Sequence, residues 1–189
     1  MPGDLGDEDA DRSSQEPRPL RRQRVGAYGI ARDHEGKVLL VRAAPYLTVA
    51  GRWFLPGGGV EHGETPLDSL RREVEEEAGL LIADASLLGV LSDTWPIPDG
   101  GLLHSVRLIY RIDTWTGELR DETGGSSDRS AWIGTEELAG TPLVRYAREA
   151  LVAYGSALGV QAGGSEGGAA GGTGDASGAG GRERRERGA

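Results

Sequence analysis

The chain has 189 residues, 37% of them hydrophobic, with 32 glycines and no cysteine. That leaves room for one globular domain and excludes a multi-domain assembly, a disulfide framework, a thiolate nucleophile and a cysteine-based zinc site. The formal net charge of −9 divides into −1 over residues 1–24, −8 over residues 25–161 and 0 over residues 162–189, so an acidic core excludes duplex nucleic acid as a partner.

No apolar run approaches the ~18–20 residues needed to cross a bilayer, and the acidic N-terminus carries no signal-peptide pattern. A cytoplasmic protein without membrane contact is therefore expected. Residues 1–24 hold six acids, five arginines and three prolines, too little apolar surface to offset chain entropy, and are expected to be disordered. Residues 162–189 contain 11 glycines and read as a flexible tail. Residues 25–161 remain as one compact domain.

Within that domain, Arg24–Arg32 and Lys37–Arg42 are rich in aliphatic residues and enclose the turn sequence Asp33-His-Glu-Gly36, which predicts a β-hairpin. Arg52–Leu55 predicts a short strand stopped by Pro56 and the run Gly57-Gly58-Gly59. Thr65 as N-cap, Pro66 in the first helical position, Asp68 three residues after the cap and Gly79 as the stop predict a helix over Pro66–Ala78.

Ser86–Ser92 shows no clean alternation. Leu103–Ile112 does, with Val106, Leu108, Tyr110 and Ile112 on one face and Ser105, Arg107 and Arg111 on the other. A short strand around Trp115–Leu119, a polar loop over Asp121–Asp128 and a strand at Ala131–Ile133 follow. Thr141-Pro142 repeats the cap-then-proline pattern and predicts a last helix with Val144, Ala147, Leu151 and Leu158 along one stripe. Strands interspersed with helices define a mixed α/β domain.

The chemistry concentrates in the first helix. Projected at 100° per residue from Leu67, Leu70, Val74 and Ala78 fall at about 300°, 340° and 20°, a buried stripe. Glu76, Glu73 and Glu77 fall at about 180°, 240° and 280°, while Glu75 falls at about 80°, on the other flank. Three carboxylates thus crowd one sector. Like charges at this spacing cost about 0.2–0.5 kcal/mol per pair, and Glu76 and Glu77 also occupy the last turn, where the helix dipole is negative. Clustered carboxylate oxygens are what a hard divalent cation requires, which predicts a Mg²⁺ or Mn²⁺ site. A solvated acidic face is the alternative.

From Gly58 the chain reads five residues to Glu64, seven more to Arg72-Glu73-Val74, then Glu76-Glu77, Gly79 and Leu80. This pattern resembles the Nudix box, G-x5-E-x7-R-E-U-x-E-E-x-G-U with U a bulky aliphatic residue, at every specified position. The resemblance to the Nudix hydrolases is strong over Gly51–Leu80. It implies a Nudix fold, an α/β/α sandwich around a mixed β-sheet, and metal-dependent hydrolysis of a nucleoside diphosphate linked to another moiety, such as ADP-ribose, a nucleotide sugar or a nucleoside triphosphate.

By position, the resemblance makes Glu76 and Glu77 metal ligands and Glu73 a third ligand or the residue that orients water. The Gly57 carbonyl becomes a backbone ligand, Arg72 the partner of a neighbouring carboxylate, and Glu64 the holder of a water. The general base is Glu73 or a carboxylate of the later loop, where Glu122 and Asp128 are also readable as ordinary loop acids. Pro96, sixteen positions after Leu80, matches a placement associated with ADP-ribose hydrolases.

Other features point elsewhere. Gly57–Gly59 lacks the Gly-Lys-Ser/Thr of a Walker loop and the third glycine of a dinucleotide fingerprint. His62 and His104 have no ligand partner at a metal-binding spacing. Tyr28, Tyr46, Trp53 and Trp95 are candidates for stacking on a base but equally for the core, so no substrate-binding residue is assigned. A ligand-sensing module without turnover is the competing function, distinguished by the damaged box such modules show.

Overall fold

The first helix forms where its punctuation places it. In the computed structural model, which describes residues 20–98 and 100–156, helix α1 spans Pro66–Ala78. The Asp68 N–H donates to the Thr65 hydroxyl at 3.2 Å, and Gly79 closes the helix at φ 74° with its N–H on the Glu75 carbonyl. A side chain at Gly79 would also meet the Glu118 carbonyl at 2.8 Å, so glycine is required there on two grounds.

Around α1 run strands β1 (Arg21–Ile30), β2 (Val38–Ala43), β3 (Trp53–Phe54), β4 (Gly57–Gly59), β5 (Leu80–Pro96), β6 (Leu102–Gly117) and β7 (Ser127–Ile133), then the short helix α2 (Thr135–Leu138) and helix α3 (Arg145–Tyr154). They build two sheets. One has the order β4-β1-β6-β5, with β1 and β6 parallel and the other pairs antiparallel; the second has the order β3-β2-β7.

The strands are shared walls. Tyr28, Ile30, Val38, Leu40 and Ile109 enter one core cluster with Leu143, Ala147 and Leu151 from the α3 side, whereas Ala27, Ala31, Leu39, Tyr110 and Ile112 enter the other with Leu70, Val74 and Ala78 of α1. Neighbouring residues on one strand thus serve opposite layers, as a period of two dictates. The result is the α/β/α layering expected, with a mixed four-stranded sheet and a second antiparallel sheet in the middle.

Several expectations need correction. β1 and β2 do not form a hairpin. The Asp33–Gly36 turn exists, with the Asp33 carboxylate accepting the Glu35 and Lys37 N–H groups, but only the bridge Arg32↔Val38 follows before the strands part into different sheets. Gly26–Ile30 of β1 and Val38–Val41 of β2 are buried on both faces, and each strand sits between two neighbours of its own: β4 and β6 for one, β3 and β7 for the other.

Arg21–Arg24, placed by composition in a disordered segment, belong to β1 and pair with Leu102–Ser105. Trp115–Gly117 is the end of β6 and forms no separate strand, while β7 begins four residues before Ala131. Register shifts at Ile82/Asp84, Asp84/Ala85 and Leu87/Gly89 in β5 explain why Ser86–Ser92 could not be phased. Thr141 does not cap α3: its hydroxyl donates back to the Glu137 carbonyl, and the Pro142 carbonyl accepts the Trp53 N–H instead. Leu158, expected on the α3 stripe, lies outside the described residues.

Candidate active site

Three segments converge along one side of α1. β4 contributes bare backbone, because a Cβ on Gly58 would fall 2.3 Å from the Glu73 carboxyl group and one on Gly57, at φ 131°, would fall 2.2 Å from the Ala27 carbonyl. The glycines therefore let the helix carboxylates approach the strand. The Gly57 N–H in turn donates to Glu77 Oε2 at 2.8 Å.

Arg72 organises the acids on the outer side. Its Nε and Nη2 grip both oxygens of Glu64 at 3.0 and 3.1 Å, its Nη1 bonds Glu73 at 2.9 Å and Glu76 at 3.4 Å, and Nη2 also reaches the Gly59 carbonyl at 3.3 Å. This fork holds the Glu64 carboxyl below the usual carboxylate range, helped by the Glu61 N–H. The guanidinium's own proton affinity rises through Glu64 first and then Glu73.

The glutamates of the box are not equivalent. Glu75 and Glu76 are exposed, Glu73 is half-buried, and Glu77 is 1% exposed. Burial raises the Glu73 pKa despite the pull of Arg72. It raises that of Glu77 much further, with the Glu73 and Glu122 charges adding to the effect and only the Gly57 N–H and the Ser126 hydroxyl, at 3.3 Å, opposing it. Among the described residues no cationic side chain partners this buried carboxylate, which suits the site to a bound cation.

The later loop separates its two candidate acids. Glu122 accepts the Ser127 N–H and hydroxyl at 2.9 and 2.8 Å and is near enough to Glu77 for their charges to interact. Asp128 instead takes both nitrogens of the Arg42 fork at 2.8 and 3.1 Å, an ion pair that holds its pKa down. Sequence reasoning missed Ser126, which bonds Glu77, and left Tyr46 unassigned, although its hydroxyl donates to the Gly125 carbonyl and fixes the same loop. The run Gly124-Gly-Ser-Ser127 was the available signal.

Other singled-out residues stand apart. His62 is exposed in the turn before Glu64, and His104 lies beside Gln23. Tyr28 packs on Tyr146 with ring centroids 4.8 Å apart, Trp53 lies 5.9 Å beneath Arg42, and Trp95 lies 5.0 Å from Arg107.

Among the described residues no three His, Cys, Asp or Glu side chains are drawn together as a closed metal cage, since Arg72 takes up Glu64, Glu73 and Glu76. The donor set nevertheless fits a hard cation. It is all oxygen, it includes the buried Glu77 carboxylate with no cationic side chain beside it among the described residues, and the bare backbone of Gly58 lets the Glu73 carboxyl group lie against β4.

With this geometry in view, the chain can be placed: residues 20–153 match the family model of the NUDIX domain, and the protein belongs to the Nudix hydrolase family. It is 37% identical over 90 residues to an ADP-ribose pyrophosphatase of Methanocaldococcus jannaschii, a match covering 47% of this chain and 50% of that relative. It is 29% identical over 108 residues to an 8-oxo-dGTP diphosphatase of Escherichia coli, covering 57% of this chain and 80% of the relative. The chain thus spans half the length of the archaeal relative. Its fold is similar to the MutT NUDIX hydrolase of Burkholderia pseudomallei, with a TM-score of 0.59 and 30% identity over 69% of this chain and 97% of the other. No described helix is long and apolar enough to cross a membrane.

Proposed function

We propose that this protein is a metal-dependent pyrophosphohydrolase that cleaves the diphosphate of a nucleoside diphosphate linked to another moiety. The buried, cation-less Glu77 beside Glu73 and the Arg72 fork carries this reading. Glu73, Glu76 and Glu77, with the carbonyl of Gly57, would hold Mg²⁺ or Mn²⁺. When bound, the ion supplies charge neutralisation at the diphosphate and a lowered pKa for water.

The chain's own residues do the rest. Arg72 orients Glu73 and Glu64 by a planar fork that lysine lacks. Burial of Glu73 gives it a raised affinity for a proton, which suits it to accept one from the attacking water, and Glu122 is the alternative acceptor in the later loop. The pairing of Asp128 with Arg42 favours Glu122 over Asp128 in that role. Glu64, gripped by Arg72 and the Glu61 N–H, supports a water at the edge of the site.

The relatives' names favour ADP-ribose on one side and 8-oxo-dGTP on the other. A phosphate-release panel over ADP-ribose, nucleotide sugars, dGTP and 8-oxo-dGTP with Mg²⁺ and Mn²⁺, with products identified, tests both. Turnover of one class is expected. Binding without turnover would make this a sensing module instead.

A further inference from the structure

β1 presents Arg24, Gly26 and Tyr28 on one face, in register with β4 through Gly26↔Gly59 and Tyr28↔Gly57. The Tyr28 ring lies over Gly26, where an added Cβ would meet Cε2 at 2.9 Å. Arg24 lies over Gly59 in the same manner, with Nε and Nη2 each 3.3 Å from the position of an added Cβ. Two glycines thus let a guanidinium and a phenol ring lie flat on the strand that backs the acid cluster.

The two arginines beside β4 differ in what remains to them. Arg72 is committed to Glu64, Glu73, Glu76 and the Gly59 carbonyl. The Arg24 side chain is exposed and makes no hydrogen bond or ion pair among the described residues. Arg24 lies near enough to Glu73 and Tyr28 for its charge to interact with both groups. Three carboxylates, Glu64, Glu73 and Glu76, share one committed guanidinium, and the nearby Glu77 has no cationic side chain as partner among the described residues. A divalent cation and a diphosphate dianion cancel each other, so an incoming diphosphate meets a surplus of negative charge that Arg24 is placed to offset.

We propose that Arg24 binds a phosphate oxygen of the diphosphate substrate from the face of β4 opposite Arg72, and so determines affinity for the diphosphate group. This rests on reading the acid cluster as a diphosphate site. The guanidinium provides a charge-assisted bond to phosphate with two parallel N–H donors, which an ammonium reproduces only as a point charge.

The test uses the full chain and the non-hydrolysable probe α,β-methylene-ADP with Mg²⁺, titrated calorimetrically, together with Mn²⁺ binding followed by electron paramagnetic resonance without nucleotide. Arg24→Gln is expected to raise the Kd for the probe about tenfold or more, the loss of one charge-assisted bond. Mn²⁺ affinity should hold or tighten, because a positive charge near the acids is gone. Arg24→Lys should restore part of the probe affinity, and Arg21→Gln, the same charge change on the opposite face of β1, should leave it within twofold.

A Kd within twofold for Arg24→Gln, a parallel loss of probe and Mn²⁺ affinity, or no binding of the probe to the unsubstituted protein overturns the proposal. The outcomes for the two readings separate. Arg24-dependent binding without turnover by the parent protein keeps this inference and removes the hydrolase, whereas turnover with an unchanged KM in Arg24→Gln does the reverse.

Discussion

Arg72 grips both carboxylate oxygens of Glu64, eight residues earlier in the chain, at 3.0 and 3.1 Å and so locks the box loop to its helix. Arg72→Lys keeps the charge and loses the fork. Turnover should fall roughly tenfold to a hundredfold, the worth of about 1.4–2.7 kcal/mol of positioning, while the melting temperature drops by only a few degrees. Steady-state kinetics and calorimetry on the same sample check this; unchanged turnover would remove Arg72 from the machinery.

Glu76 and Glu75 are adjacent, both exposed, and on different flanks of α1. Glu76→Gln should lower turnover about a hundredfold or more if its charge holds a metal. Metal-free stability should stay level or rise by a few tenths of a kcal/mol through relief of like-charge and dipole repulsion. Glu75→Gln should leave turnover within a few-fold. Equal effects, measured at saturating metal, would return the helix to a merely solvated acidic face.

Because Glu77 is buried without a cation, Mg²⁺ or Mn²⁺ should raise the melting temperature, and more so as metal concentration climbs past its Kd. Chelator should abolish turnover and either ion should restore it. Turnover that persists in chelator contradicts the metal role.

A second charged cluster is open to an independent test. Arg107, on β6, donates to Asp93 at 2.7 Å with its side chain 6% exposed, stacks on Trp95 and on Tyr146 at 4.7 Å, and shares Asp93 with Arg145. Burial works to raise the Asp93 pKa, but the two arginines outweigh it and the net shift is downward. A depressed folded value means that this stabilisation is fully present above the ordinary 3.8 and is lost as pH falls through the folded value below it. Asp93→Asn should destabilise by about 3–5 kcal/mol at neutral pH by stranding a buried guanidinium, and should flatten the acid limb of the stability curve below pH ~4. Urea unfolding at several pH values measures both, and parallel acid limbs would contradict the assignment.

What the sequence discloses depends on whether the deciding interaction is local. The span of α1 follows from Thr65, Pro66 and Gly79, all within the helix or one residue from it. The burial of Glu77 was not read, although it projects only about 20° from Leu70 on the wheel, because its charge groups it with Glu73 and Glu76. The divergence of β1 from β2 was not legible either, because a turn such as Asp33–Gly36 serves a hairpin and a passage between sheets alike. Arg107 reads as an ordinary polar position on an alternating strand; its burial comes from Asp93, Trp95 and Tyr146, none of them near it in sequence. Likewise only the fold tells Glu122 from Asp128, by giving the latter Arg42 from β2.

The parallel pairing of β1 with β6 begins at Arg21↔Leu102, partners 81 residues apart. During synthesis at about 5–20 residues per second, β1 therefore waits roughly 4–16 s for its neighbour to be made. The capped acidic helix has been synthesised well before then, since it ends at Ala78, but the sheet that backs it has not. β1 keeps one unpaired edge through that interval, so this edge is open to pairing with another chain until β6 has been completed at Gly117. Slowing translation inside β5 would lengthen this window, whereas slowing it after Gly117 would not.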